Sequence, residues 1–109
     1  MNRTKIEDTL LKIGVPAGIK GFTYIADAIE VFEERGTDIG ITKELYPAIA
    51  KRNKTTPPRV ERNIRHALGV ARDCRERLEV VDKYIGFTNC TNSNSLKRLH
   101  MMLKREETE

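Results

Sequence analysis

The chain has 109 residues, 20 of them Lys or Arg and 16 Asp or Glu, which gives a net charge of +4. This length suits one modest core, and we expect residues 1–109 to form a single domain. The sequence contains neither a membrane-spanning run nor a secretory signal, so we expect a cytoplasmic protein without a membrane partner. The two cysteines form no CxxC pair and the two histidines lack zinc-site spacing, so we expect free thiols and neither a metal nor another cofactor.

Apolar residues recur at helical spacing and strand-like alternation is nearly absent, which predicts an all-α fold. The first helix is expected over Thr4–Ile13, with Thr4 as its cap, and the second over Phe22–Arg35. Glycines and Pro16 break the chain between them. The residues expected to face inward from these two helices are Ile6, Leu10, Ile13, Ile25, Ala28, Ile29 and Phe32.

Three helices are expected in the middle of the chain. One runs over Lys43–Asn53, where Pro47 requires either an irregular first turn or a later start. A long helix follows over Pro57–Arg77, and a short one over Leu78–Ile85.

A sixth helix is expected near the C-terminus. The polar stretch 88–95 predicts a loop, with Ser93 or Ser95 capping the helix that follows. The residues expected on the apolar face of this helix are Leu96, Leu99, Met102 and Leu103. The tail Arg105–Glu109 is expected to fray.

Positive charge is concentrated between Lys51 and Arg77. Nine basic and three acidic residues lie in this window, whereas the rest of the chain has eleven basic and thirteen acidic residues. Such asymmetry is typical of a nucleic-acid surface, although a solvated arginine-rich helix face would give the same counts.

A helical wheel of the long helix separates its apolar and charged residues. The apolar stripe consists of Val60, Ile64, Ala67 and Ala71. Glu61, Arg62 and Arg65 project from a different face, within the first two turns. Together with the preceding helix and a short turn, this pattern predicts a helix-turn-helix over about residues 43–77, whose second helix enters the major groove of DNA.

The charged residues of this face suit the reading of base pairs. Arginine donates two hydrogen bonds to guanine, and glutamate accepts one from cytosine, so we predict base contacts by Glu61, Arg62 and Arg65. Glu61 also has the spacing for an intrahelical ion pair with Arg65, and both roles are compatible. The residues predicted to contact phosphates are Lys51, Arg52, Lys54, Arg59 and His66, although His66 could equally be a surface histidine without a role.

Three segments carry long motifs in order: IGVPAGIKGF at 13–22, ITKELYPAIAK at 41–51 and RVERNIRHA at 59–67. They closely resemble the C-terminal DNA-binding effector domain of the stage-zero sporulation response regulator family, the master sporulation transcription factors of endospore-forming bacteria. The sequence TNS at 91–93 fits the same resemblance.

The resemblance implies a compact six-helix domain with a helix-turn-helix that binds promoter boxes on double-stranded DNA, often as tandem copies, at the bacterial nucleoid. Glu61, Arg62 and Arg65 match the family's base-contacting positions, and Arg59 and His66 match positions near phosphates. The segment 72–87 matches the region that touches the RNA polymerase sigma subunit in this family.

Two departures from the family pattern stand out. The family's regulators carry a phosphorylated N-terminal receiver domain, which these residues do not include, so the chain is either an excised fragment or a stand-alone relative. Pro58 stands where the family tends to have a serine that caps onto the position of Glu61. We expect Thr56 to cap this helix instead, with Pro57 at its first position.

Other classes of function fit the sequence less well. An enzyme is not expected, because the chain has no glycine-rich phosphate loop, no Cys/His dyad and no paired carboxylates on an apolar face. We expect Asp8, Asp27 and Asp38 to be ordinary surface or capping residues. The main alternative is a helical protein-interaction module, or a transcription adaptor that contacts sigma without specific DNA binding.

Overall fold

The computed structural model of the chain describes residues 1–108. Within these residues the chain forms six α-helices and no strand, which confirms the expected all-α class. The helices are α1 (Arg3–Ile13), α2 (Lys20–Arg35), α3 (Tyr46–Arg52), α4 (Pro57–Asp73), α5 (Leu78–Tyr84) and α6 (Asn92–Thr108). A π-helical turn, Ile41–Leu45, precedes α3, and a 3-10 turn, Arg75–Arg77, separates α4 from α5.

Helix α2 lies at the centre of the fold. It packs against α1, α3, α4 and α6, and every residue from Tyr24 to Ile29 is buried. The residues expected to face inward from α1 and α2 are all in the core. Asp27 is buried with them, so the expectation that it is an ordinary surface or capping residue is wrong: a helix enclosed on several sides has little surface to offer.

Helices α2 and α4 approach each other closely where they cross. A Cβ atom added to Gly21 would collide with the backbone carbonyl oxygen of Asn63 and would lie 2.6 Å from the Cβ atom of Ala67. The absence of a side chain at Gly21 therefore allows the two helix backbones to meet, and this contact fixes where α4 lies.

Helices α1 and α6 begin earlier than predicted because an earlier residue caps each of them. Asn2, a stronger cap than Thr4, accepts a hydrogen bond from the Lys5 backbone N–H at 2.8 Å, so α1 begins at Arg3. At α6 the Thr91 hydroxyl accepts from the Asn94 N–H at 3.1 Å. The predicted cap at Ser93 or Ser95 is therefore wrong, and part of the predicted loop is helical.

Helix α4 ends at Asp73, four residues before its predicted end. The Arg72 side chain donates to the backbone oxygens of Ile85 and Gly86 at 3.0 and 2.8 Å, and to the Ser95 hydroxyl at 2.7 Å. These bonds join the end of α4 to the segment between α5 and α6, so the chain turns back at this point. They also remove one of the nine basic residues from the free positive surface.

The C-terminal tail was expected to fray, but its residues 105–108 are helical, because α6 continues to Thr108. The Tyr84 hydroxyl donates to Glu106 at 2.7 Å, and Lys5 and Lys83 each lie 3.6 Å from the same carboxylate. The hydrogen bond from Tyr84 lowers the pKa of Glu106 against the opposing effect of burial. Glu109 lies outside the described residues.

Replacing Gly21 by Ala tests the importance of the helix crossing. We expect Gly21→Ala to lower the free energy of unfolding by about 1–3 kcal/mol, because α2 and α4 must move apart. Gly18→Ala is the matched control, since an added Cβ at Gly18 would meet nothing within 4 Å. Urea denaturation of the two variants measures the difference, and equal stability would show that the crossing is not tight.

Candidate nucleic-acid interface

Helices α3 and α4, joined by the turn of residues 53–56, form the predicted helix-turn-helix. The α-helix α3 begins at Tyr46, three residues after the predicted start at Lys43, and Pro47 lies in its first turn; a π-helical turn precedes it, so the later start that was expected as one alternative is observed. Thr56 occupies the N-cap position of α4 and Pro57 follows it, as expected, although the Thr56 hydroxyl makes no capping hydrogen bond. Inside the turn the Thr55 N–H donates to the Ala50 carbonyl at 3.0 Å.

The predicted base-contacting residues lie together on the exposed side of α4. The apolar stripe of this helix is fully buried, so the opposite side of its first two turns faces outward. Arg65 donates to the Glu61 carboxylate at 2.8 Å, and the two side chains are 64% and 33% exposed. Arg62 is also exposed, and its Nε donates to the Pro58 carbonyl at 3.4 Å.

Four of the five predicted phosphate-contacting residues are exposed and free of ion pairs within residues 1–108. The four are Lys51, Lys54, Arg59 and His66. They are therefore available to a polyanion in the way that the sequence predicts, and their contacts with DNA remain a prediction.

Arg52 is placed differently from the other four. Its guanidinium contacts Glu30 at 2.9 Å and Glu34 at 3.2 Å, and it lies 3.6 Å from Asp27. Three carboxylates of α2 therefore neutralise Arg52. A phosphate would have to compete with them for this side chain.

Asp27 and Asn53 position the turn, although sequence analysis assigned neither of them a role there. The Asn53 amide donates to Asp27 at 2.7 Å and to the Ile49 carbonyl in the last turn of α3 at 2.9 Å. The other oxygen of Asp27 accepts from Arg3 at 2.7 Å. Burial opposes the charge of Arg3, but its hydrogen bond to Asp27 and the nearby carboxylates outweigh burial, and the pKa of Arg3 is raised.

Asn92 is a second positioning residue, at the start of α6. Its amide donates to the backbone carbonyl of Glu61 and to the Tyr46 hydroxyl, both at 3.1 Å. Burial raises the pKa of Tyr46, and the hydrogen bond from Asn92 opposes that shift. Asn92 thereby connects α6, α3 and the first turn of α4, and the family-like sequence at 91–93 was the only signal of this link.

The described residues offer little for other kinds of site. Within residues 1–108, no group of three His, Cys, Asp or Glu side chains is arranged to hold a metal ion. None of the helices in this range combines the length and the apolar character that a membrane span requires. Cys74 is half-buried and Cys90 is exposed, and both are free thiols.

One comparison with known proteins bears on this arrangement. A family model described as "Sporulation initiation factor Spo0A C terminal" matches residues 6–103. The matched range includes α2 to α5 in full and most of α1 and α6, so it contains the whole interface described above.

Proposed function

Because the chain belongs to the family of sporulation initiation factor C-terminal domains, which are helical DNA-binding domains, we propose that it regulates transcription by reading promoter boxes through α4. The single observation that supports this proposal best is the grouping of Glu61, Arg62 and Arg65 on the exposed side of the first two turns of α4. The first turns of the second helix are those that reach base edges in helix-turn-helix complexes.

The proposed division of labour follows from the chemistry of the side chains. Arg62 and Arg65 donate to guanine O6 and N7, and Glu61 accepts from the N4 amino group of a cytosine. Lys51, Lys54 and the other predicted phosphate-contacting residues bind phosphates. These contacts supply most of the affinity but carry no sequence information. This function is regulatory rather than catalytic. A domain with this function would act at the bacterial nucleoid, and two copies of the domain could occupy tandem promoter boxes.

Fluorescence anisotropy of the 109-residue chain tests the proposal. We compare a duplex that carries the family's promoter box with a scrambled duplex of equal length, across a salt series. Cognate binding that is tighter by about tenfold or more would support sequence reading. Equal binding to both duplexes would mean that a basic patch binds DNA without reading its sequence. No binding at modest salt would favour the protein-interaction alternative.

Arg65→Ala is expected to reduce cognate affinity by about 1–3 kcal/mol and to relax specificity at one base pair, because a bidentate guanine contact is lost. Affinity for the scrambled duplex should change far less. The matched control is Arg75→Ala, which removes the same charge from an exposed residue beyond the C-terminal end of α4. A uniform loss on both duplexes would contradict a base-reading role for Arg65.

Lys54→Ala is expected to weaken binding to both duplexes by the same factor and to reduce the slope of log K against log salt by about 1, because one phosphate contact is lost. Lys12→Ala is the control, since Lys12 lies on α1, over the Tyr84 ring of α5, and carries the same charge. A loss confined to the cognate duplex would assign Lys54 to base reading instead.

A second candidate function rests on an exposed apolar surface at α5. Leu78 and Phe87 are 48% and 42% exposed, and they line a shallow cleft of about 440 Å³ with Glu79 and Asp82. We propose that this cleft contacts the RNA polymerase sigma subunit, because it lies in the segment 72–87 that resembles the sigma-contacting region of the family.

The double variant Leu78→Ser, Phe87→Ser is expected to abolish co-precipitation of purified sigma subunit and to leave DNA affinity unchanged, because the cleft lies outside α4. Leu11→Ser is the matched control, since Leu11 is also 48% exposed but lies on α1. Retention of sigma by the double variant would contradict this second role.

A further inference from the structure

A basic cleft joins two of the predicted phosphate-contacting residues, Lys54 and Arg59, to Lys20 of α2, a residue that sequence analysis did not assign to DNA. It has a volume of about 310 Å³ and is formed where the first turn of α2 faces the turn between α3 and α4. Three cationic side chains line it, Lys20, Lys54 and Arg59, together with the hydroxyl-bearing residues Thr23 and Thr55. Tyr24 and Asn53 complete its wall.

The charge of this cleft is unbalanced. No carboxylate lines it, and none of its three cations forms an ion pair with a residue in 1–108. The acidic residues of α2 that lie further along the helix are engaged elsewhere: Asp27 and Glu30 bind Arg3, and Glu30 and Glu34 bind Arg52. Cations gathered in one concave site, without acids, favour an anion there.

The backbone of the turn adds an independent observation. Lys54 has φ of +53°, the left-handed conformation that a residue with a side chain rarely adopts. The residue before Lys54 is Asn53, whose side chain is held by hydrogen bonds to Asp27 and the Ile49 carbonyl. The fold thus maintains Lys54 at the mouth of the cleft despite a local conformational cost.

From this arrangement we propose that the cleft binds a phosphodiester group of the DNA backbone, with Lys20 of α2 as a binding residue. The proposal rests on the DNA-binding function proposed above. Arg59 lies three residues before Arg62 on α4, and residues at this spacing are neighbours on a helix surface, so the cleft flanks the proposed base-reading face, where a phosphate at the edge of the major groove would lie. The contact surface for DNA then extends beyond the helix-turn-helix to α2.

The test is Lys20→Gln, measured on the cognate and scrambled duplexes across a salt series. We expect binding to both duplexes to weaken by the same factor, about threefold to tenfold, and the salt slope to fall by up to about 0.9. Lys20→Arg should restore binding, because it keeps the charge. Lys12→Gln is the control for net charge alone, and its effect should be smaller on every measure.

The outcomes separate this proposal from the one on which it rests. If the wild-type chain prefers the cognate duplex and Lys20→Gln behaves like Lys12→Gln, the cleft proposal is overturned and the proposed function stands. If the wild-type chain shows no preference, the proposed function fails, while a lower salt slope for Lys20→Gln would still support the cleft.

A second measurement distinguishes DNA from a free anion as the source of the phosphate. Amide NMR signals of Thr23 and Thr55 should shift when the duplex is added and should stay unchanged in millimolar inorganic phosphate at matched ionic strength. Shifts produced by inorganic phosphate, together with unchanged DNA affinity of Lys20→Gln, would overturn the proposal in favour of a free-anion site.

Discussion

The contact between Gly21 and α4 is the constraint on which the rest of the interface depends. Because Gly21 has no side chain, α2 approaches the α4 backbone at Asn63 and Ala67. That approach places Lys20 beside Arg59, four residues before Asn63 on the same helix. The central helix thus positions α4 by close packing and also contributes a cation next to it.

A second consequence of the central position of α2 is a separation of charge along its length. Its middle and C-terminal part carries Asp27, Glu30 and Glu34, which are paired with Arg3 and Arg52, whereas its first turn contains Lys20 and no acid. The pairing neutralises these carboxylates within the fold. The count of basic residues in the sequence therefore overstates the free positive surface, since these carboxylates pair with Arg52, and Arg72 is separately engaged with the Ile85 carbonyl and Ser95.

The features that the sequence predicted well are those that depend on local periodicity. The apolar stripe of α4 and the outward position of Arg62 and Arg65 follow from a spacing of 3.6 residues per turn, and the structure confirms both. The features that it missed depend on contacts between distant segments. Asp27 meets Asn53 across 26 residues, and Arg72 meets Ser95 across 23, and no local pattern marks such partners.

Helix ends are intermediate between the features that the sequence predicted well and those that it missed. The sequence offers several capping residues near each start, and the competition between them is decided by which backbone N–H the side chain reaches. At α6 that residue is Thr91, which brings Asn92 into the first turn and directs its amide to the Glu61 carbonyl. The wrong prediction of this cap therefore also concealed the connection between α6 and α4.

Pro58 has no side-chain hydroxyl with which to cap the start of α4, and this bears on the partner of Glu61. The Glu61 carboxylate is not directed to the start of the helix; one of its oxygens accepts from Arg65 at 2.8 Å. An exposed pair of this spacing contributes only about 0.3–0.5 kcal/mol, so DNA can displace it at little cost. Until then it restricts the long Arg65 side chain, and guanidinium has five N–H donors, of which this bond uses one. The pair therefore couples the positions of the two side chains and keeps the second oxygen of Glu61 free of this bond, so in the proposed function Glu61 and Arg65 would act on DNA together.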